Sequence, residues 1–252
     1  MTHPSHRRYA SRYSKALLGL FLCIWLALAW EPWFRGAWAL ENVLTVVLLP
    51  WLIISHGRLP LSKISYTLLF AFACLHTVGS HYTYALVPYD DWWRSIFGYE
   101  LSQSLGWERN HYDRLVHFMY GVLVVYPVRE VFLRVADAKG FWGYLFPLLV
   151  VMSSSLIFEL FEWFAVLVFA PDVGVAYLGT QGDVWDSQKD SALATLGALL
   201  STLIVVAINK SLDRDFSREW NASLTIKHAE PLGEVAIDKL LHADAVSPES
   251  DA

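Results

Sequence analysis

Ionisable side chains interrupt four otherwise apolar stretches of this 252-residue chain. In YDRLVHFMYG, Asp113, His117 and Tyr120 are four and three residues apart, so a helix presents all three on one face. SSSLIFELFEWF does the same with Ser155, Glu159 and Glu162. GDVWDSQKDSALATLGALL sets Asp183, Asp186 and Asp190 at the mouth of an apolar run, again with spacings of three and four. They align if the helix starts early, although Gly179 and Gly182 weigh against regular helix that far upstream. His76 and His81 are five apart and point roughly 140° away from each other at 3.6 residues per turn, so they are not a pair on one helix.

Two chemistries suit such groups. Two or three carboxylates with one or two imidazoles fit a divalent cation such as Zn²⁺, Mn²⁺ or Fe²⁺. Asp183, Asp186, Asp190, His76 and His81 are the candidate metal ligands, and a divalent metal cation is the candidate cofactor. His117, Glu159, Glu162 and Asp113 are the candidate catalytic residues, because a partly buried imidazole or carboxyl can exchange a proton near neutral pH. The structural alternative is a polar network in which Asp113 and His117 cap a helix start while Glu159 and Glu162 bond tyrosines or water. No HExxH, CxxC pair, GxSxG, GxxxxGK[ST] or strand-bounded GxGxxG is present.

The elements that must position these residues are membrane helices. Hydrophobic residues make up 55% of the chain and charged ones only 17%, with 12 Trp, and the mean hydropathy is +0.37. Apolar runs bounded by Pro, Gly and charge define six spans at about 16–30, 36–55, 64–87, 112–134, 141–170 and 190–208. The fold class expected is all-α, a polytopic membrane protein. The first run also fits a cleavable signal peptide, but Trp30 and Trp33 read as interfacial anchors of a retained helix. Lys and Arg collect at Arg7 to Lys15, at Arg58 with Lys63, at Arg134 with Lys139, and at Lys210 with Arg214 and Arg218. These clusters fall on alternate sides, which places both termini in the cytoplasm. The organisation expected is a basic cytoplasmic N-terminus (1–15), a six-helix domain (16–208) and a partly disordered cytoplasmic tail (209–252) with a short helix around EVAIDKLLHA. DDWWRSIFGYELSQSLGWERN is expected as an amphipathic segment on the outer surface. Cys23 and Cys74 lie mid-run as small hydrophobes. The partner expected is the lipid bilayer, with no nucleic acid.

In that orientation the ionisable groups, Glu41 included, collect in the outward half of the membrane. Each costs roughly 2.5–3.5 kcal/mol at hydrocarbon depth unless it faces water or a partner. Several such costs in one layer imply shared compensation.

The succession NHYDRLVHFMYG, SSSLIFELFEW and GTQGDVWDSQKDSALATLGALL resembles the YjdF-like family of bacterial inner-membrane proteins, over nearly the whole chain to about residue 210. That resemblance implies the bacterial inner membrane and a multi-pass fold. More distantly, Asp113 and His117 followed by Tyr120, then Glu159, then Asp190 ahead of ALATLGALL are similar to VanZ-like membrane proteins, some of which are associated with glycopeptide resistance. This chain departs from that pattern with Glu162 where Gln is typical and with no Asn near Ala194 or Thr195.

The leading expectation is a metal-dependent enzyme acting on a lipid or lipid-linked substrate. Its rivals are a proton- or cation-coupled transporter and a non-catalytic membrane component. Clustered carboxylates repel a phosphate head group, so the phospholipid version requires a cation.

Overall fold

In a computed structural model the described residues are 4–168, 180–212, 215–227 and 233–243, and no strand occurs among them. The helices are α1 (Pro4–Ala29), α2 (Arg35–Ser55), α3 (Lys63–Tyr82), α4 (Tyr89–Phe97), α5 (Leu101–Leu105), α6 (Tyr112–Val135) and α7 (Trp142–Val168). After them come α8 (Asp186–Leu212), α9 (Phe216–Ser223) and α10 (Glu234–Ala243). Asp172, Gly179 and the chain from residue 244 onward lie outside the described residues.

Five helices, α1, α2, α6, α7 and α8, are long and apolar enough to cross a membrane. The third expected span is shorter than its apolar run suggested, since α3 ends at Tyr82 in a left-handed Thr83 (φ 58°). Its serines, threonines and histidines keep it out of that group, yet it lies along the whole of α6. At one end Ser62 and Ser65 bond Glu130 late in α6, at 2.8, 2.9 and 2.6 Å. At the other, the Tyr112 hydroxyl at the start of α6 donates to the Leu75 carbonyl at 3.0 Å. The two helices are therefore antiparallel neighbours over a full crossing. Backbone groups in lipid have no water to bond, so helices that bond themselves are the form such a chain takes.

The closest packing is between α6 and α8. A Cβ on Gly121 would run into the Ala194 carbonyl, and one on Gly197 into the Phe118 carbonyl. Ala194 and Ala198 are completely buried in the same seam. Small residues let the backbones touch, which is the main source of helix association where lipid is as apolar as leucine. The seam also fixes the register that sets the first turns of α6 against those of α8.

At the end of the bundle where α3 begins, α9 folds back on the α6–α7 connection. Ser223 Oγ accepts from Phe141 N at 2.9 Å and the Ser223 carbonyl accepts from Trp142 Nε1 at 2.7 Å. Gly140 (φ 57°) allows this approach. At the opposite end, α4 and α5 form the expected surface segment, held by an Asp90 carboxylate accepting from Ser102 N at 2.9 Å. Trp92, Ile96, Phe97 and Trp107 remain exposed there.

Candidate metal centre

Asp113 and His117 occupy successive turns at the start of α6, Asp190 the second turn of α8, and Glu159 the later part of α7. The α6–α8 seam brings the first three together: one ligand atom from each of Asp113, His117 and Asp190 lies within 4.8 Å of the others. His117 Nε2 is 3.6 Å from Asp113 Oδ1 and 3.3 Å from Glu159 Oε1. A cation bound at roughly 2.0–2.6 Å from each donor holds its ligand atoms about 3–5 Å apart, so the spacing suits a divalent ion. Asp190 is only 2% exposed, and its Oδ1 and Glu159 Oε1 have no hydrogen-bond partner. Buried carboxylate oxygens without partners are costly, and a bound cation or a proton removes that cost.

Glu41, on α2, joins the same layer. It is 4% exposed, its Oε2 lacks a partner, and it interacts electrostatically with Asp113 and Glu159. Glu162 lines the adjoining cavity together with Asp113 and His117. The shared faces read from spacing hold: Asp113, His117 and Tyr120 all line that cavity, where the Tyr120 hydroxyl pairs with Ser154 at 2.6 Å.

The remaining expected ligands are otherwise engaged. Asp183 is not in the helix, because α8 begins only at Asp186, after a turn in which Gly182 takes φ 87°. Its carboxylate accepts from Arg114 at 2.5 Å, from Lys189 at 2.6 Å and from Trp185 N at 3.1 Å. Those bonds, Lys189 first, hold the Asp183 carboxyl down at about 2. Asp186 pairs with Arg109 at 2.5 Å and with Arg114 at 3.5 Å. The two aspartates thus form an ion-paired clasp beside the centre rather than the expected rim of free ligands. His76 donates from Nε2 to the Glu41 carbonyl at 3.2 Å and accepts at Nδ1 from the Tyr84 hydroxyl. His81 donates from Nδ1 to the Leu28 carbonyl at 2.7 Å. The first histidine borders the cavity and the second ties α3 to α1, so neither joins the Asp113–His117–Asp190 group. Arg109 and Arg114 were the missed participants. Their signal is the sequence RNHYDR, two arginines flanking Asp113 in an otherwise acidic end of the bundle.

A family model described as "Predicted membrane protein (DUF2238)" matches residues 13–211. The chain belongs to this family. It is also 35% identical over 169 residues to the inner membrane protein YjdF of Escherichia coli (strain K12), covering 67% of this chain and 77% of that protein. No solved structure matches. The matched region of the DUF2238 member runs from the first half of α1 to the end of α8 and contains every residue of the centre. The YjdF-like resemblance read from the motifs is thereby established, and with it a multi-pass protein of the bacterial inner membrane.

Proposed function

We propose that this protein is a metal-dependent membrane enzyme acting on a lipid or lipid-linked substrate, with Asp113, His117 and Asp190 as ligands of one divalent cation. The observation that carries this reading is the convergence of three ligand atoms within 4.8 Å, two of them from residues, Asp113 and His117, that line the polar end of a mostly apolar cavity. A bound cation supplies Lewis-acid polarisation of a head-group oxygen and offsets the repulsion between a phosphate and the carboxylates. Glu159 serves as general base and acid through Oε1, which has no hydrogen-bond partner of its own and lies 3.3 Å from His117 Nε2. Arg109 and Arg114, held by Asp183 and Asp186, keep the start of α6 fixed against the start of α8 and add positive charge at the edge of the site. In the orientation argued from Lys and Arg, this site faces the outer leaflet.

Metal analysis of the full chain purified in detergent tests the proposal. About one divalent ion per chain is expected in the wild type, with at least a tenfold drop in Asp190→Asn and in His117→Ala at unchanged elution volume. Wild-type protein that takes up no stoichiometric Zn²⁺, Mn²⁺ or Fe²⁺ on loading would sink the enzyme reading and shift weight to proton binding by Glu41, Glu159 and Asp190, the transport alternative.

A further inference from the structure

A cavity of about 420 Å³ runs from the metal centre into the bundle. Asp113, His117, His76 and Glu162 line its polar end, and the rest is mostly leucine and phenylalanine, with Thr45, Ser154 and Ser155 among them. Leu44 and Leu52 of α2 both border it, so it extends for roughly 12 Å along that helix at 1.5 Å per residue. Leu69 and His76 of α3 bound the opposite wall over roughly 10 Å. The volume falls within the approximate range of 300–1,000 Å³ that small-molecule sites occupy.

The slot opens sideways. Leu48 lines it and is nevertheless 53% exposed, which puts a mouth at α2. Phe158 and Glu162 of α7 line the facing side, while the helix that α2 packs against is α3. Val46 and Val47 on α2 and Leu156, Ile157 and Phe161 on α7 are exposed as well, as on helices that meet lipid. The surroundings are hydrocarbon, so whatever enters there is a membrane lipid.

We propose that this slot holds one hydrocarbon tail of a phosphate-bearing lipid that enters between α2 and α7, with its head group at Asp113, His117 and Asp190. The head-group half rests on the metal-centre reading above; the tail half rests on the slot alone. A water-soluble substrate leaves such a slot without purpose, because leucine and phenylalanine walls give water few bonding partners. Carboxylates at the polar end select a head group that reaches them through a cation. The tail gains little from leaving one apolar medium for another, so the slot recognises shape and positions the head. On the α3 side Ala73 is the small lining residue, one turn on from Leu69 and next to Phe72, so a bulkier side chain there narrows the slot.

The test uses the full chain in liposomes and decyl phosphate carrying a photoreactive diazirine at the end of its tail. After illumination, labelled peptides are expected to include Leu52 or Leu69. Ala73→Phe is expected to lower that labelling at least tenfold, while labelling of lipid-facing Leu156 and Leu160 and the bound metal stay unchanged. Leu48→Trp, at the exposed mouth, provides the same block should Ala73→Phe not fold. Labelling confined to Leu156 and Leu160, or labelling of Leu69 that neither substitution reduces, overturns the slot. Label at Leu69 in a chain that takes up no metal keeps the slot and discards the metal centre; stoichiometric metal without label at Leu69 does the reverse.

Discussion

Asp183 and Asp190 are seven residues apart and do opposite work. Asp190 is buried with an unpartnered oxygen beside His117, whereas Asp183 is saturated by Arg114, Lys189 and the Trp185 amide. The distinction gives a pH signature. The Asp183 carboxyl sits at about 2 in the folded chain against an ordinary 3.8. A depressed carboxyl contributes stability that is fully present above the ordinary value and is lost as pH falls toward the folded one. The difference in thermal unfolding temperature between wild type and Asp183→Asn should therefore be constant from pH 7 to 5 and shrink between about pH 4 and 2. A difference that persists unchanged at pH 3 would mean that the clasp does not depend on this charge. Metal content should be the same in both proteins, because Asp183 is outside the Asp113–His117–Asp190 group.

At the scale of elements, the centre exists because α6 and α8 touch. Gly121→Leu drives a side chain into the backbone at Ala194, and overpacking of this kind costs typically about 1–3 kcal/mol, more where backbone must move. The expected result is loss of thermal stability together with loss of bound metal, read by a melting curve and metal analysis. Gly19→Leu on α1 is the control, since nothing lies within 4 Å of its added Cβ, and it should match wild type in both. A Gly121→Leu protein that keeps its metal would show that the seam does not set the site. The long helices were legible from their apolar runs, and the Asp113–His117–Tyr120 face from spacings of three and four, because both are local properties of one helix; the short helix α9, in the tail expected to be partly disordered, was not. Adjacency was not. Gly121 and Gly197 mark the seam, but nothing in a single sequence pairs them across the intervening helix. For the same reason the joining of Glu41 from α2, and the pairing of Arg109 and Arg114 with Asp186 and Asp183, appeared only in three dimensions. The reservation that Gly182 raised against an early start of α8 holds for a local reason, since Gly182 adopts a left-handed turn and leaves Asp183 outside the helix.

For the whole molecule the deciding element is α3, the long helix that is not apolar enough to stand among the five clear spans. If α3 stayed on one side of the membrane, residues 60 and 100 would share a compartment and every later loop would invert. The packing argues for a crossing. Its first residues bond Glu130 and its last turns meet Tyr112, the two ends of a helix that does cross, and its 20 residues extend roughly 30 Å at 1.5 Å each, about one hydrocarbon thickness. Its polar side chains are sheltered there: Ser65, Thr77 and Ser80 are fully buried, and His76 and His81 bond neighbouring backbone. A polar helix can cross when its polar groups face protein rather than lipid. Reporter fusions after residues 60, 138 and 215 should then give cytoplasmic signals, and fusions near 100 and 178 external ones. A cytoplasmic signal at 100 with external signals at 138 and 215 is the five-span pattern and removes α3 from the membrane. External signals at 60, 138 and 215 with cytoplasmic ones at 100 and 178 keep all six crossings but turn the metal centre and the mouth of the slot toward the cytoplasmic leaflet.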